Sequence, residues 1–538
     1  MKNKIKIAIS DALEKLHFPN VNIIIEKPKN KENGDVSTNI AFLLSKELKE
    51  NPLDIANKLK NELTNSALFK SVNVANPGFI NFSLNNNSLI DSLNNIISKN
   101  LDYGKNNSGE KTKVLVEFVS ANPTGPLTVG HGRGAILGDT VGNILDWNGY
   151  KVYREYYYNN AGRQMRVLGE SLKARYFELN KQPYTFPDEG YQGDYIINIA
   201  KELVDNHKDS LINSNDEDVF KSKAEKHIFK QIKNTLDKIG INFDNYFNEN
   251  SLYENKKIYD VIDQLKEKQL IYEKDNATWF KATAVGMQAD RVLIKNTGEP
   301  TYRLPDIAYH TTKFDRGYDL CIDVFGADHM DAYPDVLAAI KQLGYNEKNI
   351  KVLIHQFVSI INDGKVVKMS TRKGNFITLD KLIDEVGIDV VRYFFIMRGI
   401  NSHLNFDLDL AKQRSENNPI YYIQYAHARI CTILNKNNDI TFNDSDLSLI
   451  NSESEIQLIY LLVEFEDLIL KLSSSLEPQI LANYLFELAG KFHKYYAKTR
   501  IISDDDELTK SRLQFIKAIK IVINNGLNIL GISSPERM

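Results

Sequence analysis

Apolar residues recur at helical spacing from the start of the chain. Ile5, Ile9, Leu13 and Leu16 fall on one face and predict an amphipathic helix over 5–16, and a second helical pattern covers 53–63. Between and after these lie a strand pattern at Val72-Asn73-Val74, a turn at Asn76-Pro77-Gly78 and the alternating Phe79-Ile80-Asn81-Phe82-Ser83-Leu84. Leu101 to Thr112, rich in Gly, Asn, Ser and Lys, reads as a linker. The run Val114-Leu115-Val116-Glu117-Phe118-Val119 then predicts a buried strand, followed by a loop and a helix from about His131 to Trp147. Mixed helices fill 150–300, including the charged stretch 216–240, and strand patterns return at Leu320 to Val324 and Lys351 to Ile354. From about 410 the pattern is helical, with Leu458, Leu461, Leu462, Phe465, Ile469 and Leu472 on one face.

Such alternation predicts an α/β fold: a doubly wound, Rossmann-like parallel sheet split by an insertion. Expected boundaries are an α+β N-terminal unit over 1–110, a catalytic unit over 111–410 with its insertion at about 165–295, and an all-α unit over 411–538. A length of 538 residues suits several domains of roughly 150 residues each.

Composition changes this picture little. Hydrophobic residues make up 42% and charged residues 25%, as in soluble globular proteins. No apolar run approaches the ~20 residues that span a bilayer, and Asp11 and Glu14 interrupt the N-terminal pattern, which argues against a signal peptide. Two cysteines, Cys321 and Cys431, are too few for a disulfide framework or a zinc cluster, so a cytoplasmic location is expected. The net charge of −3 selects no partner, because nucleic-acid binding depends on local basic patches.

Three segments carry candidate chemistry. Gly130-His131 stands where the helix after the 114–119 strand begins. A helix start offers free N–H groups and a positive dipole end to an anion. Gly130 permits close approach to the backbone, and His131 can donate to phosphate oxygens; the plainer alternative is a capping histidine. Lys368-Met369-Ser370 follows the turn Asn362-Asp363-Gly364 among Lys365, Arg372 and Lys373, with strand-like Phe376-Ile377-Thr378 beyond. Such a basic loop can neutralise charge developing on a phosphate; otherwise it is a solvated hairpin. Phe325-Gly326-Ala327-Asp328-His329 follows an apolar strand, at the strand end where open α/β sheets bind nucleotides.

The segment from Val114 through Ser-Ala-Asn-Pro-Thr-Gly-Pro-Leu-Thr-Val-Gly to His131, taken with Lys368 to Gly374, resembles the HIGH and KMSKS motifs of class I aminoacyl-tRNA synthetases. The match is incomplete. Thr128 replaces the first His, and Thr371 replaces the second Lys, with Arg372 and Lys373 as alternative sources of that charge. The resemblance implies His131, Lys368 and Ser370 in catalysis. For ATP it implies Thr128, Gly130, His131, Gly326, Asp328, His329, Lys368 and Met369. Mg2+ is expected with ATP, held mainly through phosphates and not by a protein metal site.

A pocket for arginine has to present carboxylates to a planar, permanently charged fork of donors. Tyr302 and Asp306, four apart, share one face if their segment is helical. Glu117 in its apolar strand needs a cationic partner: a ligand guanidinium or a local Arg such as Arg303. Here the resemblance narrows to the arginyl-tRNA synthetase family, whose Ser-x-Asn, preceding Glu and Tyr-x-x-x-Asp match Ser120, Asn122, Glu117, Tyr302 and Asp306. It implies that these five bind arginine and that activation requires bound tRNA. Gly34-Asp35 through Ile40, Asn76 to Asn81 and the closing Gly531-Ile532-Ser533-Ser534-Pro535-Glu536-Arg537-Met538 extend the resemblance to both ends.

Lys491-Phe492-His493-Lys494-Tyr495-Tyr496-Ala497-Lys498-Thr499-Arg500 interleaves cations with rings and contains no acid. Cations reach phosphates and rings stack on unpaired bases, so Lys491, Lys494, Tyr495, Lys498 and Arg500 are candidate tRNA contacts; an amphipathic helix with a solvated basic face is the alternative. The expected partners are tRNA(Arg), L-arginine and ATP, with no membrane and a monomeric state. Two rivals are a nucleotidyltransferase of the same fold and a silent RNA-binding module. The first needs neither terminal unit, and the second has no use for His131, Lys368 and Ser370.

Overall fold

The computed structural model describes residues 1–28, 30–214, 218–367, 377–443 and 445–538. At the N-terminus the strands Ile25–Glu26, Val36–Thr38, Phe79–Leu84 and Phe69–Ala75 form an antiparallel sheet in that spatial order. It is covered by helices including Lys2–Lys15 and Pro52–Leu63, where Ile5, Ile9, Ile55 and Leu59 are fully buried. At the C-terminus four long helices, Pro419–Lys436, Glu453–Ser475, Gln479–Lys498 and Asp506–Ile529, pack on one another.

Between them stands a five-stranded parallel sheet of Lys113–Glu117 (β1), Lys151–Tyr158 (β2), Asn245–Asn248 (β3), Leu320–Gly326 (β4) and Ile350–His355 (β5). Its spatial order is β5-β4-β1-β2-β3. That is the doubly wound order, with strand direction of growth reversing between β1 and β4, and a crevice opens at such a point beyond the carboxyl ends. β3 lies inside the stretch expected as an insertion. Its short, polar sequence Asn-Tyr-Phe-Asn lacks the apolar run of the other strands.

Alternation along β1 divides two cores. Val114 and Val116 join Ile322 and Val324 in one, while Leu115 and Cys321 join Ile307, Ala308 and Val336 in the other. Each fully buried aliphatic side chain contributes about 1.5–3 kcal/mol. The first core is closed by the helix Val129–Trp147 (α1), buried almost all round. Its glycines allow this: a Cβ at Gly138 would lie 2.3 Å from the Phe118 ring. The second is closed by the helix Arg303–Asp315 (α2), so Glu117, on the same side of β1 as Leu115, faces α2.

A three-stranded antiparallel sheet, 271–294, precedes α2. After β5 the chain makes the hairpin Val358–Asn362 and Lys365–Val366, which leads towards Lys368. The strand expected at 376–378 is not formed by its described part. Thr378 instead accepts from the Lys381 N–H to cap the helix Leu379–Val386, and it bridges to Thr128 beside α1. A Ser/Thr before an apolar helical period favours this cap.

Candidate active site

A cavity of about 970 Å³ opens over the carboxyl ends of the central sheet. Every strand contributes: Glu117 from β1, Tyr157 from β2, Glu249 just after β3, Gly326 from β4 and His355 from β5. Glu117, Ser120, Asn122, Thr128, Gly130, His131, Tyr302, Asp306, Gly326, Asp328 and His329, scattered over more than 200 positions of sequence, all line it. Lys368, Met369 and Ser370, with Thr371, Arg372 and Lys373, lie outside the described residues.

The helix start is built by a reciprocal cap. The Thr128 hydroxyl accepts the His131 backbone N–H at 3.4 Å, and His131 Nδ1 accepts the Thr128 N–H at 3.3 Å. Two consequences follow. Nδ1 is an acceptor, so the ring proton sits on Nε2, free to donate. Burial also lowers the His131 pKa, with Asp328 opposing, and the ring is neutral. Neighbouring His355 is pushed down to about 4, mainly by burial. Across the cavity mouth Asp328 and His329 are largely exposed, and His329 stacks on Phe325 with centroids 5.0 Å apart.

After β1 the chain turns sharply, with Val119 at φ +68° and Ser120 at φ +43°. Left-handed backbone is costly at a β-branched residue. The turn points the Ser120 hydroxyl back, where it donates to Glu117 Oε1 at 2.9 Å and accepts the Tyr157 N–H at 3.3 Å. Asn122 accepts from the Asn159 N–H at 3.0 Å. Glu117 Oε2 meets neither a free guanidinium site nor Arg303. It accepts from Lys313 at 2.7 Å, while Arg303 reaches Asp335 at 2.9 Å.

Tyr302 precedes α2 and Asp306 sits in its first turn, so the two do share a face at the cavity wall. Tyr302 is 58% exposed, with the Arg303 guanidinium 4.8 Å from its ring centroid. The Asp306 carboxylate has no hydrogen-bond partner among the described residues. Burial raises its pKa to about 7; Glu117 and Glu249 push the same way, His310 and Lys313 against. Glu249, which sequence reasoning missed, is a second carboxylate here. It accepts from the Tyr157 hydroxyl at 2.6 Å and from Asn159 at 2.8 Å, and burial raises its pKa. The available signal was an acid two residues after the aromatic pair Tyr246-Phe247, just past an unusually polar strand.

The basic run of the C-terminal region lies apart from this cavity, on the helix Gln479–Lys498 and just beyond. Lys494, Lys498 and Arg500 are exposed, and Lys491 pairs with Glu487 at 3.2 Å. Tyr495 corrects the expectation: it is 2% exposed and its hydroxyl donates to Glu455 at 2.9 Å, so its ring cannot stack on a base. Helical spacing turns Tyr495 inward with Phe492 and leaves Tyr496 exposed. Tyr496, Tyr425 and Arg429 line a second cavity of about 760 Å³, the Arg429 guanidinium lying 4.4 Å from the Tyr425 ring centroid and 4.9 Å from that of Tyr496.

No helix among the described residues is long and apolar enough to cross a membrane. Family models match along the chain: an arginyl tRNA synthetase N-terminal domain at 3–84, a class I (R) tRNA synthetase catalytic domain at 92–392 and a DALR anticodon-binding domain at 423–538. The chain is 48% identical to an arginine–tRNA ligase of Desulfotalea psychrophila, over 96% of this chain and 94% of that one. It is 46% identical to one of Salinibacter ruber, over 96% of each. Its fold matches the Thermus thermophilus arginyl-tRNA synthetase with a TM-score of 0.80 at 20% identity, covering 100% of both chains. With a class I catalytic-domain match spanning more than half its length and full-length relatives near half identity, this chain belongs to the arginyl-tRNA synthetase family.

Proposed function

We propose the following division of labour for the family's reaction, in which ATP activates L-arginine as arginyl-adenylate and the arginyl group passes to tRNA(Arg). Asp306 and Glu249 receive the guanidinium, with Tyr302 closing over it. Glu117, Ser120 and Asn122 orient the α-ammonium end. The substrate carboxylate then lies towards the start of α1, where its oxygen attacks the α-phosphorus of ATP and pyrophosphate leaves. Gly130 and the helix dipole stabilise the charge that builds there, and the His131 Nε2–H donates to it. The Thr128 backbone N–H, donating to Nδ1, holds that tautomer, while its hydroxyl caps the helix. Gly326, Asp328 and His329 sit where a ribose would meet the sheet edge. Lys368, Met369 and Ser370 are assigned from sequence alone: a basic loop over the triphosphate. Mg2+ enters with ATP, coordinated mainly by phosphate oxygens. In the second step a terminal ribose hydroxyl of tRNA attacks the carbonyl and AMP leaves.

The observation that carries this reading is Asp306, a half-buried carboxylate left without a hydrogen-bond partner among the described residues and facing a cavity beside a second acid. A guanidinium is the ligand that neutralises such a pair in bidentate geometry. Arginine-dependent ATP–pyrophosphate exchange with tRNA present tests it. Asp306→Ala weakens arginine by about 2–5 kcal/mol, as for a broken buried charge pair, with ATP affinity unchanged; equal losses for both ligands would sink the assignment.

For tRNA, Lys491, Lys494, Lys498 and Arg500 supply phosphate contacts. The cavity between Tyr425, Arg429 and Tyr496 takes an unpaired base, since stacking on rings and guanidinium planes is how single strands are held. The units 1–110, 111–410 and 411–538 act as tRNA-contacting, catalytic and anticodon-binding parts. The protein acts as a cytoplasmic monomer, a setting in which its two buried cysteines stay reduced.

A further inference from the structure

Beneath the cavity floor three carboxylates occupy one rung of the sheet. Asp323 of β4 pairs in register with Glu117 of β1, and Glu117 with Glu155 of β2. All three face α2, and none is more than 3% exposed. That helix answers them residue by residue. Lys313 donates to Glu117 at 2.7 Å and to Asp323 at 2.6 Å; His310 donates to Asp323 at 2.9 Å; Tyr309 donates to Glu155 at 2.7 Å. Just past its end, Arg316 donates to Glu155 at 2.8 Å. The Lys313 ammonium is wholly buried, and it also lies 4.4 Å from the Tyr309 ring centroid.

Lys313 reaches no ligand-accessible surface, yet one of its two anions, Glu117, lines the cavity. We infer that Lys313 is a positioning residue for arginine recognition, holding Glu117 aimed so that its Oε1, already gripped by Ser120, receives the α-ammonium of the substrate. The inference rests on the assignment of Glu117 to that ammonium. Without Lys313, Glu117 and Asp323 are like charges on adjacent strands, neither more than 3% exposed. Repulsion then favours protonation of one or a swing away from the other. Burial works against a charged Lys313, but Asp323 and Glu117 outweigh it and raise its pKa. The ammonium thus stays charged through the physiological range. It anchors Glu117 from 196 residues away in sequence.

Calorimetric titration of the full chain with arginine and, separately, with ATP tests this. Lys313→Met raises the arginine Kd tenfold or more, leaves that for ATP within twofold, and adds no further loss to Glu117→Gln in the double variant. Lys313→Arg, which keeps the charge, recovers most of the affinity. If Lys313→Met does not fold, Lys313→Gln against Lys313→Arg carries the same comparison, and the charged variant must bind arginine at least tenfold more tightly. A smaller arginine loss, or equal losses for arginine and ATP, overturns the positioning role while Glu117→Gln still weakens arginine. Should Glu117→Gln itself have no effect, the assignment of Glu117 fails and the inference with it.

Discussion

The two ends of the helix Arg303–Asp315 treat carboxylates in opposite ways. Towards its C-terminal end, Tyr309, His310, Lys313 and Arg316 give Glu155, Asp323 and Glu117 donors from within the protein. In its first turn, on the cavity side, the Asp306 carboxylate has no donor among the described residues; Glu117 and Glu249 oppose its ionisation, and His310 and Lys313 favour it without bonding it. Ionising a carboxylate without a partner in a low-dielectric site is costly, and proteins avoid it except where something else brings the charge. Under the arginine assignment proposed above, the helix separates structural electrostatics from recognition: where the protein completes the pair it builds a floor, and where it omits the cation it leaves a place for the ligand's.

Cutting a completed pair gives the largest effect. Arg316→Met strips the guanidinium from Glu155, which is 1% exposed, and costs about 3–5 kcal/mol in stability. A fall in the denaturant midpoint of the catalytic transition measures it; an unchanged midpoint would mean that Tyr309 and Asn245 alone suffice for Glu155.

The incomplete pair responds to pH instead. Because the Asp306 pKa is raised, a proton competes with the substrate guanidinium. Below about 7 the carboxyl is neutral and arginine binds less well; above it affinity reaches a plateau. The KM for arginine therefore rises about tenfold for each pH unit on the acid side of that value. Asp306→Asn abolishes this slope while leaving any dependence due to ATP, and a variant that retains the slope would assign it to another group, Glu249 first.

The smallest effect separates the nucleotide end from the arginine end. Thr128→Ala removes the hydroxyl that caps Val129–Trp147 and costs about 1 kcal/mol of stability. It also loosens the first turn that seats His131, while the backbone N–H of residue 128 still holds Nδ1, so the KM for ATP rises modestly and arginine affinity stays as it was. A joint rise in both would show that the two ends are not independent.

Much of this site is legible in the chain because its signals are local. A strand run carrying Glu117, a helix start at Gly130-His131 and a Tyr-x-x-x-Asp at helical spacing each declare themselves within a few residues. Others mislead for the same reason. Tyr495 and Tyr496 look alike in a basic run, and only the packing of four helices turns one ring inward. Thr378 ends a β-branched stretch but caps a helix, because residue type alone does not weigh propensity against tertiary context.

By itself, then, the sequence determined the doubly wound class of the fold, the helix start at His131 and the acid at Asp306, all encoded by short-range period and spacing. Tertiary structure alone decided which acids are neutralised. Glu117, Glu155 and Asp323 become neighbours through sheet register, and Lys313 joins them because α2 packs across that rung. Glu249 enters the cavity only because a short polar strand completes the sheet edge. Charge compensation in a buried site depends on distances between residues far apart in the chain, and a linear pattern of residue types does not carry those distances.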